Sequence, residues 1–326
     1  MAASYVIIGE ALVDVLPTGE VPGGSPANVA VTLGRLGRSP VLVTCLGDDA
    51  RGEMVHRWLA ASNVTVDSTK PITDRTSTAK VMLDEAGSAS YKFDLSWTPD
   101  PGRTATAAAS ADLLHIGSIA TVLEPGATMI EATLIAARER ALVSFDPNAR
   151  PAITPDLTDT RARVERLVAL AHLVKVSDED LAWYYPDMDP LAAARHWVTL
   201  GPELVVVTFG GDGAVALRAT PKVALVEATS KTPDGGIPTG SITELRVPGV
   251  EVEVADSVGA GDTFMGALLD TLGTLGIYGA DARKKLAALS DADVLAALTR
   301  SARAAAITVS RPGADPPTTA ELDDQN

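Results

Sequence analysis

Short apolar, largely β-branched runs recur along this chain at 5–8, 41–45, 113–116, 142–145, 173–176 and 204–208, and an amphipathic or alanine-rich stretch follows each of them. Successive parallel strands need a long crossover, usually a helix, whereas antiparallel ones close with a tight turn. The alternation therefore predicts an α/β fold with a mostly parallel central sheet flanked by helices on both faces. One segment breaks the rhythm. Lys80-Val81-Met82-Leu83 and Tyr91-Lys92-Phe93-Asp94-Leu95 flank Asp84-Glu85-Ala86-Gly87, the composition of a β-hairpin and not of a crossover helix.

With 326 residues the chain is long enough for one large α/β domain or two smaller ones. A net charge of −15 argues against a nucleic-acid partner, because binding the phosphate backbone needs clustered Lys and Arg. It leaves room for a nucleotide, whose charge Mg²⁺ and local backbone N–H groups can neutralise. No signal peptide and no run of membrane-spanning length is present in the sequence. The single Cys45 excludes an internal disulfide framework and suits a buried small hydrophobe in a reducing compartment. The expectation is a soluble, cytoplasmic protein with no membrane partner.

Two glycine-rich runs carry the chemistry. In Asp256-Ser257-Val258-Gly259-Ala260-Gly261-Asp262-Thr263-Phe264 a turn of small residues opens an apolar helix, leaving uncovered N–H groups as an anion site. A carboxylate beside an anion site costs electrostatic energy, so Asp262 reads as a base; the alternative is a carboxylate that merely complements the helix dipole. In Gly23-Gly24-Ser25-Pro26-Ala27-Asn28, glycines again precede an amphipathic helix, and Asn28 can both donate to and accept from a sugar hydroxyl.

Together these runs resemble the paired signatures of the ribokinase-like, or phosphofructokinase B, carbohydrate kinases. Further matches fall in order between and after them: Gly9-Glu10-Ala11-Leu12-Val13-Asp14, Phe145-Asp146-Pro147-Asn148-Ala149-Arg150, Lys175-Val176-Ser177-Asp178-Glu179-Asp180, Thr208-Phe209-Gly210-Gly211-Asp212-Gly213 and Ser310-Arg311-Pro312-Gly313. The resemblance covers nearly the whole chain, which implies one ribokinase-like domain over 1–326 and a small β-sheet lid from about 13–22 and 76–97. It implies ATP-dependent phosphorylation of a sugar's primary hydroxyl. The forms of the signatures look most like the fructokinase branch. A 2-keto-3-deoxygluconate kinase, another sugar or nucleoside kinase, and a non-catalytic sugar-binding protein on the same fold are the alternatives.

The resemblance also assigns roles. Asp262 would accept the sugar proton while Gly259, Ala260 and Gly261 form the anion hole. Asp14, Gly24 and Asn28 would bind the sugar, with Arg150 near the transferred phosphoryl group and Lys92 on the lid as the basic residue a keto-acid would need. Lys175, Ser177, Thr208, Gly210 and Gly213 fall on the nucleotide side. Ser177 and Asp180 stand at the ends of what the family writes as Asn-x-x-Glu, so Asp180 or Glu179 would order the waters of Mg²⁺, with helix capping as the other reading for Ser177. Backbone carbonyls of Asp256, Val258, Thr308, Arg311 and Gly313 would hold K⁺, although Pro317 replaces one side-chain ligand of some relatives. The stretch 231–241 reads as a surface loop where the family contacts adenine. His56, His115, His172 and His196 show no ligand spacing, and a homodimer through the lid completes the expectations.

Overall fold

β-branched residues lose rotamer freedom in a helix and pack well on a pleated surface, which is where the short apolar runs of this chain are found. The computed structural model describes residues 3–83, 89–154, 156–219 and 242–324. The expected hairpin turn at 84–87 and the loop at 231–241 lie outside the described residues.

The chain begins with β1 (Tyr5–Ile8), β2 (Leu12–Leu16), β3 (Gly19–Gly23), α1 (Ser25–Arg35), β4 (Val41–Cys45), α2 (Ala50–Ala61), β5 (Thr65–Thr69), β6 (Thr78–Leu83), β7 (Ala89–Asp94) and α3 (Pro101–Ser110). It continues through β8 (Leu113–Gly117), α4 (Gly126–Ala137), β9 (Leu142–Asp146), α5 (Leu157–Leu170), β10 (Leu173–Ser177), α6 (Asp178–Tyr184), α7 (Pro190–Leu200), β11 (Leu204–Thr208) and β12 (Ala214–Ala219). Then come β13 (Ile242–Val247), α8 (Ala260–Thr274), α9 (Ala282–Ala287), α10 (Asp291–Val309) and α11 (Thr319–Asp323).

Nine strands form the large sheet in the order β13-β12-β11-β10-β9-β8-β1-β4-β5. All neighbours from β5 to β11 are parallel, and β12 and β13 close one edge as an antiparallel pair. Each central strand is buried on both faces, so its side chains alternate between two apolar layers. Ile7 packs with Val31, Leu42, Phe264 and Leu268 on one face, while Val6 and Ile8 pack with Leu114, Phe145 and Trp197 on the other. Strand order reverses at β1, and in open α/β sheets the ligand cleft lies at the carboxyl ends of strands beside such a reversal.

The four-stranded second sheet, in the order β3-β2-β6-β7, is built from the two segments expected to form the lid. Its register decides which side chains share a face. Asp14 lies opposite Val21 and Ala79, and Ala79 opposite Phe93. This face packs through Leu12 and Ala79 on Ile119, just beyond the carboxyl end of β8. Val15, Lys80 and Lys92 form the adjacent row and so point to the opposite face. Lys92 is exposed there. Lys92, expected as the basic residue a keto-acid would need, is thus one residue of strand parity away from the Asp14 face.

Candidate active site

The glycine turn expected to form the anion hole opens α8. Gly259 is the N-cap in the left-handed region at φ 76, where an added Cβ would also meet Ala314 Cβ at 2.6 Å. A side chain at Gly259 is therefore excluded twice over. The first full helical bond runs from Thr263 N to Gly259 O at 2.8 Å, so the N–H groups of Gly261 and Asp262 have no helical acceptor. The Lys175 ammonium lies directly under this turn, 2.7 Å from where a Cβ on Gly261 would stand.

Asp262 is buried in the first turn of α8, but its carboxylate does not cap its own helix. It faces the first turn of α1. Ser25 Oγ donates to Oδ1 at 2.6 Å, Asn28 Nδ2 donates to Oδ2 at 2.7 Å, and Asn148 Nδ2 stands 3.5 Å from Oδ1. The Asn28 Oδ1 atom is buried without a partner among the described residues, an acceptor left available for a hydroxyl donor. Gly24 makes this arrangement accessible: it holds φ 107, and a Cβ there would press on Glu10 O at 2.7 Å.

The ends of β9 and β10 bring a second group of charges beside the first. Lys175 Nζ donates to Asp146 Oδ2 at 3.0 Å, both side chains being buried. Burial alone would lower the Lys175 ammonium, but the surrounding carboxylates of Asp146, Asp262 and Asp180 hold it above its usual range. Burial pushes Asp146 up to about 6, with Lys175 opposing and Asp180 and Asp262 reinforcing. Asn148 forms the turn at φ 40 and also approaches Asp262. Arg150 makes no ion pair among the described residues; its Nη1 donates to Asn148 Oδ1 at 2.6 Å and to Ala149 O at 2.9 Å. Its charge still reaches Glu10, Asp14 and Asp180.

Ser177 caps α6 by accepting from Asp180 N at 3.0 Å, which is the capping role, while its neighbour in register is Thr208 at the end of β11. Asp180 is raised by burial and accepts from Ala149 N at 3.1 Å through Oδ1 alone. Glu179 is exposed. Of the two, Asp180 is the carboxylate that shares the site with Lys175 and Arg150. Among the described residues no cluster of three or more acidic, His or Cys side chains could cage a metal. One half-buried carboxylate fits a Mg²⁺ that arrives on a nucleotide and keeps most of its waters.

On the lid side, the Asp14 carboxyl has no hydrogen-bond partner among the described residues, and burial raises it to about 6 against the charge of Arg150. Glu10, at the carboxyl end of β1, is pushed up to about 7 by burial, with Ser118 and backbone hydrogen bonds acting the other way. It accepts from Ala120 N at 3.1 Å and leaves Oε1 without a partner.

On the far side the loop carrying Gly210 and Gly213 follows β11, and Gly213 lies directly against Val247 and Pro248. Pro248 in turn lines a cleft of ≈ 360 Å³ together with Val250, Val252, Ala306, Ile307 and Ser310. The segments expected to hold K⁺ meet nearby: Asp256 Oδ1 accepts from Val258 N at 3.0 Å, Oδ2 from Gly313 N at 2.9 Å, and Asp256 N donates to Val309 O at 3.1 Å. Thr308 is buried in α10, its hydroxyl donating to Thr263 Oγ1 at 2.9 Å. The Arg311 guanidinium bonds Glu321 at 2.6 Å. His115 is pushed down to about 3 by burial, with the charge of Lys175 acting in the same direction, and His172 accepts from Val143 N at 3.1 Å.

Sequence reasoning named Lys175 but missed Ser25, Glu10 and the Asp146 partner of Lys175 as parts of the site. The signal in each case was a polar residue inside an otherwise small or apolar motif.

Comparison with known proteins places the chain in a family. The chain matches the pfkB family carbohydrate kinase pattern over residues 9–321. It is 36% identical over 279 residues to the fructokinase of Rhizobium leguminosarum bv. trifolii, across 81% of this chain and 78% of that protein. The fructokinase of Xylella fastidiosa with bound ATP superposes with a TM-score of 0.81 at 25% identity, covering 99% of this chain and 98% of that one. A fructokinase double mutant from Vibrio cholerae O395 holding fructose, ADP and a potassium ion superposes with a TM-score of 0.75 at 27% identity, covering 99% of each. Fold, signatures and likeness agree: the chain belongs to the pfkB family of carbohydrate kinases.

Proposed function

We propose that this chain transfers the terminal phosphoryl group of ATP to a primary hydroxyl of fructose. The observation that carries the reading is the Asp262 carboxylate, held by α1 at the N-terminus of α8 beside unbonded N–H groups. A base for the hydroxyl and donors for the moving phosphoryl group are what this reaction requires of a protein.

In this reading the sugar lies between the Asp14 face of the lid and the carboxyl ends of β1, β8 and β9. Asp14 accepts from its hydroxyls, and Asn28 Oδ1 accepts from another. The primary hydroxyl attacks the terminal phosphorus, its proton passing to Asp262 as the new P–O bond forms and the bond to the ADP oxygen breaks. The Gly259–Asp262 turn and the Lys175 charge beneath it face the negative charge of the transferred group. Asp180 would order the waters of a nucleotide-borne Mg²⁺, which would supply charge neutralisation for the phosphates. The nucleotide base occupies the cleft beside Pro248 and Ile307, and K⁺ binds between the turns at 256–258 and 308–313, as the potassium in the Vibrio relative suggests.

Among the described residues β3 and β7 are the outer strands of the lid, and a homodimer through the lid is part of the reading. No described helix is long and apolar enough to cross a membrane, and a buried single Cys45 suits a reducing cytoplasm.

The test is a coupled ADP-release panel of fructose, ribose, 2-keto-3-deoxygluconate and adenosine. Fructose should give the highest kcat/KM. A higher value for the keto-acid would reassign the substrate.

A further inference from the structure

A serine at a helix start ordinarily turns its hydroxyl back onto the N–H groups of its own first turn. Ser25 does not. It is the first residue of α1, Gly24 is the N-cap, and no side chain caps the helix. The Ser25 hydroxyl instead crosses to α8 and donates to Asp262 Oδ1 at 2.6 Å, over 237 positions of sequence. Both residues are buried, at 5% and 6% exposure. The backbone around Ser25 has little room to retreat: Gly24 sits on the Glu10 carbonyl, and the Pro26 ring lies against Gly9. Asn28, one turn on, occupies the other carboxylate oxygen, so the carboxylate rotates only by breaking two charge-assisted bonds.

We propose that Ser25 is a positioning residue for the phosphoryl-transfer base, fixing the rotamer of Asp262 by a short buried hydrogen bond. This rests on the reading of Asp262 as the base. A residue that only packs would be replaced by any side chain that fills the same space, whereas a positioning donor is replaced only by one that keeps the hydroxyl. Removing that donor frees the carboxylate to rotate away from the attacking hydroxyl, so turnover falls while nucleotide binding does not.

The experiment compares Ser25→Ala, Ser25→Thr and Asp262→Asn, with fructose and saturating ATP from pH 5 to 9 and with thermal unfolding of each variant. Ser25→Ala should lower kcat by roughly tenfold to a hundredfold, the range for a hydrogen bond to a charged group. Its KM for ATP should stay at the wild-type value, and Ser25→Thr, which keeps the hydroxyl, should recover most of the loss in kcat. Two results overturn the inference: wild-type kcat in Ser25→Ala, or a loss of turnover that Ser25→Thr does not recover. If Asp262→Asn retains turnover, the base reading itself falls. If Asp262→Asn is inactive while Ser25→Ala matches wild type, only the role of Ser25 falls.

Discussion

Lys175 and Asp146 form the one ion pair among the described residues in which both side chains are nearly removed from solvent, Nζ lying 3.0 Å from Oδ2 with 6% and 1% of the side chains exposed. Removing one partner strands the other charge in a low-dielectric site, at a cost of about 3–5 kcal/mol. Lys175→Met should therefore unfold at lower urea concentration than wild type. The sign with pH follows from Asp146. Without the ammonium its folded carboxyl titrates even higher than about 6, so the stability of the variant is retained at low pH and lost as pH rises. Urea midpoints at pH 5.5 and pH 8 should show the larger deficit at pH 8; equal midpoints for variant and wild type at pH 8 would refute the pairing.

Asp14 gives a pH prediction for binding. Burial holds it at about 6, so ionisation on raising pH through that value creates the acceptor for sugar hydroxyls. kcat/KM for fructose should climb through this range, and Asp14→Asn should flatten the climb. The substitution should also lower kcat/KM roughly tenfold to a hundredfold while leaving the KM for ATP in place. An unaltered fructose KM in Asp14→Asn would remove the residue from the sugar site.

For the metal, Asp180→Asn keeps an oxygen for Ala149 N and loses the charge. The Mg²⁺ concentration giving half-maximal rate should rise roughly tenfold, more than the KM for fructose does. A Mg²⁺ response identical to wild type would pass the role to Glu179 or another group.

The parallel strands were legible because each is an unbroken apolar run followed by a helical pattern, and the observed β1, β4 and β11 keep the bounds the sequence suggests. β5 was not legible: Thr65–Thr69 is a polar edge strand, half-buried, with no apolar pattern to announce it. β12 and β13 escaped because they pair antiparallel beyond the last crossover. In the site, the motifs located Asp262, Asn28 and Lys175 individually, but the Ser25–Asp262 bond depends on packing α1 against α8. The face on which Lys92 lies, opposite to that of Asp14, was not legible, because a hairpin pattern without its register leaves parity open.

The central claim is that Asp262 takes the proton of the attacking hydroxyl, and steady-state turnover of Asp262→Asn with fructose and ATP tests it most directly, beside calorimetric ATP binding and circular dichroism. The fold and nucleotide affinity should be nearly unchanged while kcat falls roughly a hundredfold to ten-thousandfold, the range for losing a general base. Near-wild-type kcat in a folded, ATP-binding variant would contradict the account.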